Sequence, residues 1–303
     1  MDEIEHIFPE EPSMVAESTP AEDNIQRAHK AITDYCLSLH QREERLQQEL
    51  VEVHNKVSLF DELHQYLREK SRDKWPLHVM DWFSRNKAFV GEIDHSVKGR
   101  LPSAMMRILQ EATAEADELK KRYPFWMDTT AAKLKFKPDS TSRHPVYGFR
   151  SGFFTVTVSE PSYTARIEDL AGPLVDRMPA DPSAIITYLQ QEKVRIFGRP
   201  FDPAAFLQRL LRNYMAVVEK DPDLKDGGPV PIRWITGRLH DNEKGFRNDE
   251  FLVDLTFLLD SHVSDIDGRT LMLEQTKETE HGLYVFPKYG KGYVGFLRFT
   301  RRD

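Results

Sequence analysis

The chain has 303 residues, 40% of them apolar and 30% charged, with a formal net charge of −7. This length supports one sizeable core or two smaller ones without staples, and the single cysteine, Cys36, excludes an intrachain disulfide. The acidic N-terminus and the lack of a long unbroken apolar run speak against a secretory leader or a bilayer-spanning helix, so the expectation is a soluble, cytoplasmic protein with no membrane partner.

Residues 1–20 hold three prolines and many acids, which reads as a disordered acidic tail. Residues 1–24 carry eight Asp or Glu and no Lys or Arg, so the remainder of the chain is nearly neutral. From Ala21 to Trp75 there is neither Pro nor Gly, and Ile25, Ile32, Leu39, Leu46, Val53, Phe60 and Leu67 recur one heptad apart. This predicts a long helix with a seam that needs cover from another helix, as a coiled coil or a fold-back. Ala28 and Tyr35 complete the stripe before residue 40, and Leu50 and Val57 after residue 45. Between them, the polar stretch 40–45 implies either a phase shift in one helix or a bend between two. The charged Arg42, Glu49 and Lys56 occupy positions that a regular dimer would keep apolar.

Amphipathic helices are expected at about Pro76–Val97 and Pro102–Arg122, which completes a helical region over 21–122. Residues 123–150 hold three prolines and read as an irregular basic linker. Over 120–150 there are eight Lys or Arg against two Asp, with Tyr123, Phe125, Trp126, Phe136, Tyr147 and Phe149 interleaved. An α+β domain is expected over 151–303. It begins with a hairpin of Gly152–Ser159 and Tyr163–Asp169, followed by helices at Pro182–Arg195 and Asp202–Lys220, with Asp202 as N-cap. Strands are expected at Val230–Leu239, Glu250–Leu259, Arg269–Thr276, Gly282–Phe286 and Tyr293–Thr300. Asp267-Gly268 supplies a hairpin turn before the third of these. The fold class is therefore α+β: a long-helix region, then a mainly antiparallel sheet domain with two packed helices.

Motifs with chemical meaning are weak. Gly290-Lys-Gly-Tyr-Val-Gly295 has dinucleotide-loop spacing, but only eight residues follow it here, so a glycine-rich hairpin is the better reading. Lys291–Phe299 looks like the base-stacking octapeptide of RNA-recognition motifs with one residue too many. That puts Tyr293 and Phe296 on opposite faces unless a bulge intervenes. Asp265, Asp267, Gly268 and Glu274 match a calcium loop whose first position would be Val263. Asp254, Glu274 and Lys277 approximate a metal-nuclease pattern, off by one residue. His240, Asp241 and Glu243, and His262 with its neighbouring acids, lack a second histidine at ligand spacing. No cofactor or metal is expected.

The expectation for function is a non-enzymatic assembly subunit. It would self-associate or dock on a protein partner through Ile25, Ile32, Leu39, Leu46, Leu50, Val53, Val57, Phe60 and Leu67, and present a recognition surface on the α+β domain. An alternative is a nucleic-acid-binding component of a processing complex, using Lys133, Lys135, Lys137, Arg143, Arg150, Lys288, Lys291 and Arg298 if those segments meet in space. A third is an enzyme with an unrecognised site, such as a divergent metal-dependent nuclease, around Glu274, Asp254 or His240.

Overall fold

The structure, a computed structural model, describes residues 20–70, 75–96, 101–286 and 292–301. The expected acidic tail therefore lies outside the described residues except for Pro20. The chain forms two compact units, Met1–His64 and Gln65–Asp303.

The first unit is the body of helix α1, Pro20–Lys70, whose 51 residues span about 76 Å at the usual rise. The helix is continuous through residues 40–45, so the polar break is a phase shift and not a bend. The helix-forming composition that follows Pro20 has nothing to interrupt it. Exposed i,i+4 pairs such as Glu52 with Lys56 add a little local support.

The second unit opens with four helices: α2 (Pro76–Arg85), α3 (Lys87–Ser96), α4 (Leu101–Lys121) and α5 (Tyr123–Lys133). The expected Pro76–Val97 helix divides at Asn86, where the backbone leaves helical geometry and the side-chain amide donates to the Trp82 carbonyl at 2.9 Å. The stretch expected to be irregular thus contains α5, and it also contains the first strand of a sheet. That sheet is an antiparallel meander of β1 (Val146–Phe149), β2 (Phe154–Ser159), β3 (Thr164–Asp169) and β4 (Gly172–Pro179), in that spatial order. The expected hairpin is β2–β3, with Phe154, Val156, Val158, Ala165 and Ile167 buried on one face. Strand β4 has no alternating pattern because it is an edge strand, where Pro173 and Pro179 are tolerated.

Helices α6 (Pro182–Phe197) and α7 (Pro203–Lys220) stand where they were expected, and Asp202 caps α7 by accepting from the Ala204 and Ala205 amides. The two strands expected next are helices instead. After the two-residue β5 (Val230–Pro231) comes α8 (Ile232–Asn242), whose Ile232, Ile235, Thr236 and Leu239 form a helical buried face. Then comes α9 (Asn248–Ser261) in place of a strand at Glu250–Leu259. Its Phe251, Leu255 and Leu258 join one core, while Leu252 and Val253 join the other. A helix buried on both sides carries apolar residues nearly all round, so its sequence alternates as a strand would.

The second sheet runs β5-β9-β7-β6, with β8 also pairing β9; its longer strands are β7 (Arg269–Gln275), β8 (Leu283–Val285) and β9 (Gly292–Arg301). The Asp267-Gly268 turn forms as expected, with φ of 50° and 70°, and joins the short β6 (Asp265–Ile266) to β7. One core lies among α5, α6 and the first sheet, and the other among α7, α8, α9 and the inner face of the second sheet.

Candidate interaction surfaces

On α1 the stripe is open. Ile25, Ile32, Leu39, Leu46, Leu50, Val53 and Val57 are each between 46% and 70% exposed, and Tyr35 is 65% exposed. Phe60 is half-buried, and the Leu67 side chain lies outside the described residues. Among the described residues nothing covers the seam. Across residues 40–45 the second apolar row moves from Ala28 and Tyr35 to Leu50 and Val57, a change of phase within one continuous helix. Cys36 is exposed on the same helix.

A second surface is built where α5, β1 and α6 meet. Helix α5 ends in a left-handed turn at Lys135, with the Phe136 amide donating back to the Ala131 carbonyl and the Lys135 amide to Ala132. This turn delivers Phe136 flat onto Phe149, with centroids 5.5 Å apart and planes within 4°, and leaves Lys133, Lys135 and Lys137 exposed around it. From α6, the Lys193 ammonium sits 5.7 Å from the Phe136 centroid. The Arg150 guanidinium lies 3.6 Å above the Phe197 ring, and burial lowers its pKa because water is lost without a carboxylate gained. Phe153 packs against both Phe197 and Phe286.

The remaining basic residues do not all join this corner. Arg143 donates to the Ser140 and Ser142 carbonyls in its own turn. Arg298 stands on β9 of the second sheet, 3.2 Å from Glu274, while Lys288 and Lys291 lie outside the described residues.

Strand β9 also resolves the question of the extra residue. Phe296 pairs with Glu274 and Val294 with Gln275, so Gly295 is a bulge. The bulge returns Tyr293 and Phe296 to one face, opposite the buried Val294, Leu297 and Phe299. A Cβ at Gly295 would stand 2.7 Å from Thr276 Cβ, so the bulge needs glycine.

The residues of the enzyme reading are dispersed. Asp254 pairs with Arg199 at 2.7 Å, Glu274 pairs with Arg298, and His240 is exposed near the end of α8. The calcium-like loop is the β6–β7 hairpin, where Asp265 accepts from Thr270 Oγ1. Of the dinucleotide-like motif, Gly292 and Gly295 lie within β9 and Gly290 lies outside the described residues. Among the described residues no group of three or more His, Cys, Asp or Glu could hold a metal ion.

Two polar assemblies, one partly and one fully buried, had no sequence signal. Arg195 on α6 gathers Glu192, Asp249 and Glu250. Burial opposes the Asp249 charge, but hydrogen bonds from Arg195 and Arg247 outweigh it and hold its pKa below the ordinary value. Asp181 is fully buried just before α6, yet its carboxylate accepts from the Leu77 and His78 amides of α2, at 3.1 and 2.8 Å. Comparison with known protein families, curated proteins and solved structures finds no match to this chain. Among the described residues no helix is long and apolar enough to cross a membrane.

Proposed function

We propose that this chain is a non-enzymatic assembly subunit that associates through α1, in the simplest case with α1 of a second copy, while its second unit presents a recognition surface. The observation that carries this reading is the exposed heptad stripe on one unbroken 51-residue helix. Apolar side chains repeating on one helical face stabilise the structure only when another surface removes them from water, at about 25 cal/mol per Å². The slip at residues 40–45 fits a partner that follows the stripe as two segments rather than as one regular zipper.

Light scattering coupled to size exclusion tests the proposal. The wild-type chain is expected to exceed its monomer mass of 35.3 kDa. Leu46→Asp or Val53→Asp, which places a charge where it would be desolvated against a partner, is expected to return it to that mass, since an unpaired buried charge costs several kcal/mol. A wild-type chain at monomer mass across the accessible concentration range would refute self-association.

A further inference from the structure

We propose that the corner formed by the end of α5, the β1–β2 turn and α6 binds the phosphate backbone of single-stranded nucleic acid through Lys135, Lys137, Arg150 and Lys193. This names a ligand for the recognition surface assigned to the second unit, and so rests on that part of the proposed function.

Four cations are held around two rings. Lys135 and Lys137 flank Phe136, the Lys193 ammonium approaches the same ring, and Arg150 stacks on Phe197. Among the described residues none of the four forms an ion pair. The acids close by are already committed. Asp139 accepts from the Ser151 and Gly152 amides and shapes the turn that carries Arg150, and Glu192 is taken by Arg195. The four cations therefore outnumber the one carboxylate, Asp139, that is bonded only to neutral amides, although the protein is acidic overall. Arg150 makes the point most sharply. Its guanidinium is held 3.6 Å from a ring centroid at an exposed position, yet no carboxylate receives its N–H donors, which leaves the fork free for a phosphate.

The rings favour a single strand over other polyanions. Phe136 and Phe197 are half-buried beneath the cations, so charge and π-surface alternate over one small area. Single strands are held by cations set beside aromatic side chains, with phosphates on the cations and bases against whatever ring area the packing and the cations leave open. An anionic membrane would call for apolar side chains projecting outward for insertion, and here Val194 alone among the large apolar residues of α6 is strongly exposed.

The test uses the full chain, a fluorescent oligothymidylate of about 20 nucleotides, and anisotropy between roughly 50 and 200 mM salt. Binding is expected to weaken with a log–log slope of about −2 to −3, since each single-strand phosphate contact contributes about 0.7. Lys135→Gly, Lys137→Gln and Lys193→Gln together are expected to flatten the slope to about −1 or less and to lower affinity at least about tenfold. Glycine suits the left-handed backbone at residue 135, so that change removes charge without adding strain. If the triple variant melts early, Lys137→Glu alone, at an exposed position in an irregular segment, must still reduce binding severalfold. Arg212→Gln, Lys220→Gln and Lys225→Gln remove the same charge elsewhere and are expected to leave binding within about twofold, since contact charges set the slope.

An equal loss in that control would overturn the proposal, as would salt-independent binding, no binding, tighter binding to a duplex of equal length, or binding only to phosphatidylserine vesicles. The Leu46→Asp chain separates the two readings. Loss of mass with an unchanged salt slope per chain leaves the corner standing, and unchanged mass in the basic triple leaves the assembly standing.

Discussion

Replacing Asp181 by alanine tests how the second unit holds its first helix. The carboxylate is wholly buried and 2.6 Å from His78 Nδ1, in addition to accepting the Leu77 and His78 amides. Those amides belong to the first turn of α2, whose own N-cap residue, Trp75, offers no side-chain cap. Hydrogen bonds to a charged acceptor contribute about 1.5–3 kcal/mol each, and leaving buried donors unpaired adds a desolvation penalty, so the loss should reach about 3–5 kcal/mol. Water entering the vacated space would recover part of this. For a unit of this size the melting temperature should fall by roughly 10 °C, at about 2–4 °C per kcal/mol. Asp181→Asn keeps one acceptor oxygen and should lose about half as much. Thermal melts followed by circular dichroism give the global effect, and hydrogen exchange at the Leu77 and His78 amides gives the local one. A melt within about 1 kcal/mol of wild type, together with unchanged exchange at those amides, would refute the capping role.

Three further outcomes can be measured independently. Burial pushes the Asp169 carboxyl up to about 6 from its ordinary 3.8, against hydrogen bonds from the Ala171 and Gly172 amides, and among the described residues its Oδ2 has no hydrogen-bond partner. Because the folded pKa is raised, the folded state holds a proton that the unfolded chain has lost, and wild-type stability falls as pH rises through that interval. Asp169→Asn should therefore gain on wild type between about pH 4 and 6, by roughly 1–2 kcal/mol after discounting for partial exposure, in urea titrations at several pH values. An identical pH dependence in both proteins would contradict this. Gly295→Ala, whose Cβ would meet the Thr276 side chain at 2.7 Å, should cost about 1–3 kcal/mol in the same titrations by forcing the β7–β9 bulge apart, and a neutral result would show that the bulge relaxes freely. Lys135→Gly should raise the midpoint, by about 1 kcal/mol, because a non-glycine residue bears the left-handed turn there; a lower midpoint would show that the lysine stem packs usefully.

The elements legible in the residues themselves are those set by nearby sequence alone. The α1 stripe, the β2–β3 hairpin, the Asp202 cap on α7 and the Asp267-Gly268 turn each reflect local periodicity or local turn chemistry, which short-range sterics impose directly. Elements whose surroundings are not local read wrongly. Helix α9 alternates like a strand because it lies between two cores, and α8 hides its helical face in a segment that also alternates from Val230 to Trp234. The edge strand β4 shows no pattern because little of it is buried.

The same division runs through the interaction surfaces. The apolar stripe along α1 is written in its heptads, but that the described chain leaves the stripe exposed is a property of tertiary structure alone. The lysines of residues 133–137 are plain in the sequence; their convergence with Lys193, and the seating of Arg150 on Phe197, depend on α6 crossing beside α5. Asp181 shows why. Nothing local to Asp181 marks it, yet packing turns its carboxylate onto α2, more than a hundred residues earlier, where two buried amides would otherwise go unpaired. Local sequence sets which groups need satisfaction, and the fold decides which distant residue provides it.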